Sequence, residues 1–153
     1  MKYLHIVLTL VIFAGLSVLI HEWGHFWACR LLGGEANITF DNIAQGWCHI
    51  TELPDAGMWF VRLAGGMTVF VIYCVLWLLA RWTPSCWDLD DELATVTIGV
   101  SHFIYAFFEA FASGLIGNWQ MIFALLFAQV IVLILYAKEL KIYFSGGCKD
   151  ERR

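Results

Sequence analysis

The sequence predicts an all-α polytopic membrane protein, four transmembrane helices with a short β-hairpin-like segment between helices 1 and 2. Three observations lead there. The 153-residue chain is 61% hydrophobic and 14% charged, with a mean hydropathy of +0.74, which is too apolar for an ordinary soluble domain. Four apolar stretches each reach the roughly 20 residues that a helix needs to span a bilayer. The one long polar connection, 35–57, carries strand-forming residues on both sides of Gly46. All 153 residues read as a single membrane domain in contact with the lipid bilayer.

The first helix is expected over 3–32, apolar except at His5, Thr9 and Ser17 before a polar cluster at 21–25, and stopped by Gly33-Gly34. Lys2 followed by an apolar run also fits the start of a signal peptide, but no clean small-x-small cleavage site follows, which favours a retained helix. In the loop, 36–41 and 47–53 hold Ile38, Thr39, Phe40, Trp47, Ile50 and Thr51, the composition of a short hairpin. Asn37-Ile38-Thr39 matches a glycosylation acceptor, a pattern so short that it usually arises by chance. The second helix is expected over 58–82, with Gly65-Gly66 allowing close backbone approach. Asp88, Asp90, Asp91 and Glu92 then read as a solvated cap on the N-terminus of the third helix, 93–116. The fourth spans 119–143, and a polar tail covers 145–153.

The net charge of −4 comes with no basic patch, so nucleic acid is excluded as a partner. Five cysteines, at 29, 48, 74, 86 and 148, form no C-x-x-C pair and suggest neither a disulfide framework nor a thiolate zinc site.

The chemistry concentrates in His21-Glu22-Trp23-Gly24-His25. Residues four apart share a helix face, so His21 and His25 can bind one Zn2+. Glu22 stands one step round the helix, where a carboxylate serves as general base without being a ligand. Two imidazoles and a carboxylate inside a membrane helix are costly enough that function is the default reading.

A hydrolytic zinc site needs a third protein ligand. If the helices alternate in direction, a rise of about 1.5 Å per residue puts His21 and His25 roughly 8 to 14 Å inside the level of Arg30. Glu109 then lies about 12 Å inside the level of Gly117, while His102 lies about 22 Å in. Glu109 is therefore the preferred third ligand and His102 the reserve, otherwise a core histidine. Gly65-Gly66 fall about 10 to 12 Å in from Met58, level with the motif. His49 reads as structural or solvent-exposed, and His5 as lying near the first membrane boundary.

These residues resemble the site-2 protease family of intramembrane zinc metalloproteases. The likeness rests on His21-Glu22-Trp23-Gly24-His25, on the hairpin-like segment after it, and on Leu63-Ala64-Gly65-Gly66, similar to the family's Ala-Gly-Pro segment. It covers roughly residues 4–80. The family's usual third ligand is an aspartate in an Asn-Pro-Asp-Gly or Leu-Asp-Gly motif; neither occurs here, and Glu109 would replace it. The resemblance implies that His21 and His25 hold zinc and that Glu22 activates water. The implied function is an intramembrane endopeptidase cutting transmembrane protein substrates, with an extended segment held on a hairpin edge.

Two other classes compete: a non-catalytic zinc-binding or metal-handling membrane protein using the same ligands, and a structural protein of the bilayer with no metal. Lys and Arg are concentrated on the side of the termini, which the positive-inside rule puts in the cytoplasm, whereas the resemblance puts the catalytic end there.

Overall fold

The computed structural model describes residues 2–42, 45–53, 55–82, 89–112 and 119–144. Pro54, Cys86, Asp88, Gly117-Asn118, Cys148 and the tail 145–153 lie outside the described residues. The elements are α1 (Lys2–Leu31), β1 (Glu35–Asn42), β2 (Gln45–Thr51), α2 (Asp55–Trp82), α3 (Leu89–Phe111), α4 (Gln120–Leu135) and α5 (Ala137–Phe144).

Helix α1 ends in a glycine cap. Gly33 takes a positive φ of 80°, the Gly33 amide donates to the Arg30 carbonyl and the Gly34 amide reaches back to that of Cys29. This satisfies two of the orphaned terminal carbonyls and turns the chain into β1. The strands pair antiparallel, Glu35 opposite Thr51 through Thr39 opposite Trp47, so the expected hairpin is present, and it packs against α1.

Helix directions follow from cross-helix contacts. Tyr73 donates to the Phe13 carbonyl (2.6 Å) while His25 bonds that of Val61, so α2 runs antiparallel to α1. Thr9 reaches Asp91 at one end and His25 meets Glu109 towards the other, so α1 and α3 run parallel. Helices α1, α2 and α3 pack on one another, and α4 packs on α3.

The surface is inverted relative to a soluble protein. Leu4, Val7, Val11, Ile12, Val71, Val75, Leu79, Leu126, Leu133 and Ile134 are exposed, while Ser17, Thr95, Ser101, Ala106, Ala124 and Ala128 are buried. Small residues let backbones approach, and large apolar ones suit lipid, as expected for membrane helices. Helices α1, α2 and α3 are long and apolar enough to cross a membrane, and α4 adds a shorter apolar helix, Ile122–Leu135.

Several boundaries differ from the expectation, among them the start of α2 at Asp55 rather than 58 and the end of α3 at Phe111 rather than 116. Helix α3 starts at Leu89 rather than 93, because acidic side chains stabilise a helix's first turn and so belong inside it. The expected fourth span, 119–143, is divided at Tyr136. There the Tyr136 hydroxyl donates to Glu92 (2.9 Å) and accepts from Trp77 (3.1 Å), and charged Lys138 and Glu139 follow directly. The 16 residues of α4 reach about 24 Å, short of a hydrocarbon core of about 30 Å.

Nor is the acidic run simply a solvated cap. Glu92 Oε1 accepts from Arg81 (2.7 and 3.0 Å), Trp77 (3.1 Å) and Tyr136, joining α2, α3 and the α4–α5 junction.

The α2–α3 crossing is set by Gly66. A Cβ there would lie 2.5 Å from the His102 carbonyl oxygen and 2.8 Å from Ala106 Cβ, and backbone cannot swing aside. Gly66→Ala should therefore destabilise the protein by roughly 1 to 3 kcal/mol through overpacking. Gly57→Ala, which meets only leucine side chains, should stay within about 1 kcal/mol of wild type. Reversible denaturant unfolding in detergent measures both.

Candidate metal centre

The helical spacing of four brings His21 and His25 together on the face of α1 that packs towards α2 and α3. Both are buried, as is Glu22. Their Nε2 atoms lie 2.9 Å apart, and Glu109 on α3 approaches both, Oε1 at 3.2 Å from His25 and Oε2 at 3.3 Å from His21.

These three side chains, from two helices, form a set whose ligand atoms all lie within 4.8 Å of one another, and the set could hold a metal ion. The fit to zinc can be tested on the separations. Nitrogen and oxygen ligands about 2.0 to 2.1 Å from a tetrahedral zinc lie about 3.3 Å from each other. The two nitrogens are 2.9 Å apart, and each is near that value from a different Glu109 oxygen, 3.2 Å to Oε1 and 3.3 Å to Oε2, so the carboxylate faces the pair with both oxygens. Glu109 Oε2 is also a buried polar atom without a hydrogen-bond partner. Left that way it is destabilising, whereas a cation at the meeting point satisfies it. Two imidazoles and a carboxylate beside a cavity make a set that could hold a metal ion with a coordination position left open to that cavity.

Helix α2 supplies the support. His25 Nδ1 donates to the Val61 carbonyl (2.7 Å); a carbonyl can only accept, so in the neutral ring the proton sits on Nδ1 and Nε2 keeps its lone pair. A side chain at Gly65 would collide with both imidazoles, and one at Gly24 would come within 2.8 Å of the Ala64 carbonyl oxygen. The glycine before the second histidine and the glycine pair on α2 are thus two halves of one close crossing.

Glu22 is no member of the three-ligand set. It lines a cavity of about 320 Å³ with His21, His25, Glu109, Tyr105 and Arg62, bordered on one side by Gly46, Trp47 and Cys48 of the hairpin. A Cβ at Gly46 would lie 2.6 Å from Glu22 Cγ, so the turn end of β2 rests directly on this carboxylate.

Of the other expected residues, His102 lies outside the three-ligand set, yet its ring centroid is 5.7 Å from that of His21, closer than the depth estimate allowed. That estimate took helix 3 to run to 116 and the helix ends to share a plane, whereas α3 ends at Phe111. His49 bonds Thr39 across the exposed hairpin (3.0 Å). Tyr105 is a cavity residue that the sequence reading missed. The signal was there: His102, Tyr105 and Glu109 fall at i, i+3 and i+7, one helix face.

Cys48 also faces this cavity. Burial, reinforced by the nearby Glu22 carboxylate and Cys29, pushes its thiol up to about 11.

No protein-family model, curated protein or solved structure matches this chain. The site therefore speaks through its own geometry.

Two outcomes follow. Protein purified in detergent should carry one divalent ion per chain, and His25→Ala and Glu109→Ala should each lose it; elemental analysis reads this directly. Alkylation of Cys48 should be slow at pH 7 to 9 and accelerate as pH rises towards about 11, since the reactive thiolate is the form that burial disfavours. Rate against pH, with Cys48→Ser as the blank, measures it.

Proposed function

We propose that this chain is a zinc-dependent intramembrane endopeptidase of the site-2 protease type, a compact multi-pass form in which α4 is a fourth, short membrane segment. One observation carries the reading: Glu22 faces the same cavity as the converging His21, His25 and Glu109. A site that only stores metal needs no carboxylate beside its ligands. A hydrolase does, because attack by water on a peptide carbonyl requires a group to take up the water's proton.

In this reading His21, His25 and Glu109 hold the ion, which when bound polarises the scissile carbonyl and acidifies water. Glu22 accepts the proton of the attacking water and delivers it to the departing amine nitrogen, so one side chain acts first as base and then as acid. Tyr105 and Arg62 bring N–H and O–H donors to the cavity wall. Packing of the hairpin on α1 keeps the reacting groups away from bulk lipid and water.

A substrate helix has its own carbonyls hydrogen-bonded and must unwind before cleavage. The hairpin presents a free strand edge beside the cavity, where an extended segment replaces its lost helical bonds with ladder bonds. The substrate class is accordingly a membrane-spanning protein segment.

Glu22→Gln keeps the shape of the side chain and removes its basicity. It should lower cleavage of a model transmembrane substrate in detergent or proteoliposomes by at least about 100-fold, with zinc content unchanged. Turnover that survives in Glu22→Gln would overturn the mechanism. Zinc bound tightly by a wild type that cleaves nothing would favour the non-catalytic metal-binding alternative.

A further inference from the structure

Three buried histidines surround the site, and two of them have the position of their proton settled by backbone. His25 Nδ1 donates to the Val61 carbonyl, and His102 Nδ1 donates to the Ile98 carbonyl (3.0 Å). In neutral His102 this leaves Nε2 as a pure acceptor. His21 differs: its Nδ1 is buried and has no hydrogen-bond partner. A metal-ligating imidazole almost always gives its other N–H to an acceptor, since that bond fixes both the tautomer and the ring orientation.

Two polar rings stand beside His21. Tyr105 has its centroid 5.4 Å away and lines the open cavity. His102 has its centroid 5.7 Å away at an interplanar angle of 61°; no direct bond joins the two rings as they stand, and a small ring rotation or a single bridging water closes the gap. A phenol must place a proton of its own, whereas the free nitrogen of His102 can only accept. His102 is also held firmly, since its backbone carbonyl packs on Gly66 and its side chain is buried.

We infer that His102 is the positioning residue for His21: its Nε2 accepts the His21 Nδ1 proton, which leaves the lone pair of His21 Nε2 facing Glu109 and His25. This rests on the metal reading of the site and needs no proteolysis. It gives the intramembrane His102 a task other than ligation or core filling, and it makes α3 contribute both a ligand, Glu109, and the partner that orients one.

The test uses the full chain in detergent, stripped with chelator and titrated with Zn2+ against a competing indicator. His102→Ala should still bind one ion per chain, with affinity about 10- to 100-fold weaker. His102→Gln, whose amide oxygen also accepts, should recover most of that loss. With Co2+ in place of Zn2+, His102→Ala should shift the visible absorption of the bound ion. Should His102→Ala fold poorly, the wild type alone suffices. Nitrogen-15 spectra of histidine-labelled, zinc-loaded protein should show His21, His25 and His102 all protonated on Nδ1.

Unchanged affinity in His102→Ala would overturn the inference, making His102 a core residue. So would loss of stoichiometric binding at saturating zinc, making it a ligand, or an Nε2-protonated His102 in the spectra. A loss found in Tyr105→Phe but not in His102→Ala would assign the role to the phenol instead. Failure of the protease reading is visible separately, as zinc binding without cleavage. A wild type that binds no metal would overturn both.

Discussion

Close backbone contact between α1 and α2 is the constraint on which the rest of this structure depends. At Gly24 and Gly65 the helices approach until no side chain fits between them: the space a Cβ would fill is taken at Gly24 by the Ala64 carbonyl and the Thr68 hydroxyl, and at Gly65 by the imidazoles of His21 and His25. In a bilayer such contact replaces the hydrophobic effect as a source of helix association, because large apolar side chains gain little by leaving lipid for protein. One crossing thus joins the helices and fixes the position of the two histidines. It also brings the Val61 carbonyl to His25 Nδ1, so that backbone of α2 leaves His25 Nε2 as the nitrogen facing His21 and Glu109.

Two clusters of polar and ionisable side chains lie at opposite ends of the helices. Towards the C-terminal end of α1 lie His21, Glu22, His25 and Glu109; at the other end lies the cluster of Glu92, Arg81, Trp77 and Tyr136. They are satisfied differently. Glu92 is paired with a guanidinium and hydrogen-bonded by three residues, which ties α4 to the bundle at its C-terminal end. Glu109 faces two imidazoles and keeps a buried oxygen without a hydrogen-bond partner. A buried oxygen left without a hydrogen bond is destabilising, and a completed network is not. The Glu92 cluster is therefore completed within the chain, whereas the His21, His25 and Glu109 cluster is one that a metal ion could complete.

Most of the outline was legible from residue type and spacing. Helices α1 and α2 and the hairpin between them follow from apolar run length and strand-forming residues; the depth count also picked Glu109, although the level it was measured from, Gly117, lies beyond Phe111 where α3 ends. The division at Tyr136 was only partly legible: Lys138 and Glu139 end the apolar run two residues later, but the partners of Tyr136, Glu92 and Trp77, are 44 and 59 residues away in sequence. The early start of α3 was legible in principle, since Asp90, Asp91 and Glu92 suit a first helical turn. His102 was misplaced because depth counted along one helix carries no information about its tilt or where it ends, and Tyr105 was passed over although it shares a face with Glu109.

The sequence by itself determined that the chain belongs in an apolar setting, and that two imidazoles and a carboxylate lie within one helical turn. Composition and the 3.6-residue period are local properties, and no tertiary contact is needed to read them. Only the tertiary structure decided that Glu22 looks into a cavity bordered by Gly46 of the hairpin, that Gly65 rather than a side chain faces the imidazoles, and that His102 stands beside His21. Each depends on where separate segments meet and how they are rotated about their own axes, and that is settled by packing between residues far apart along the chain.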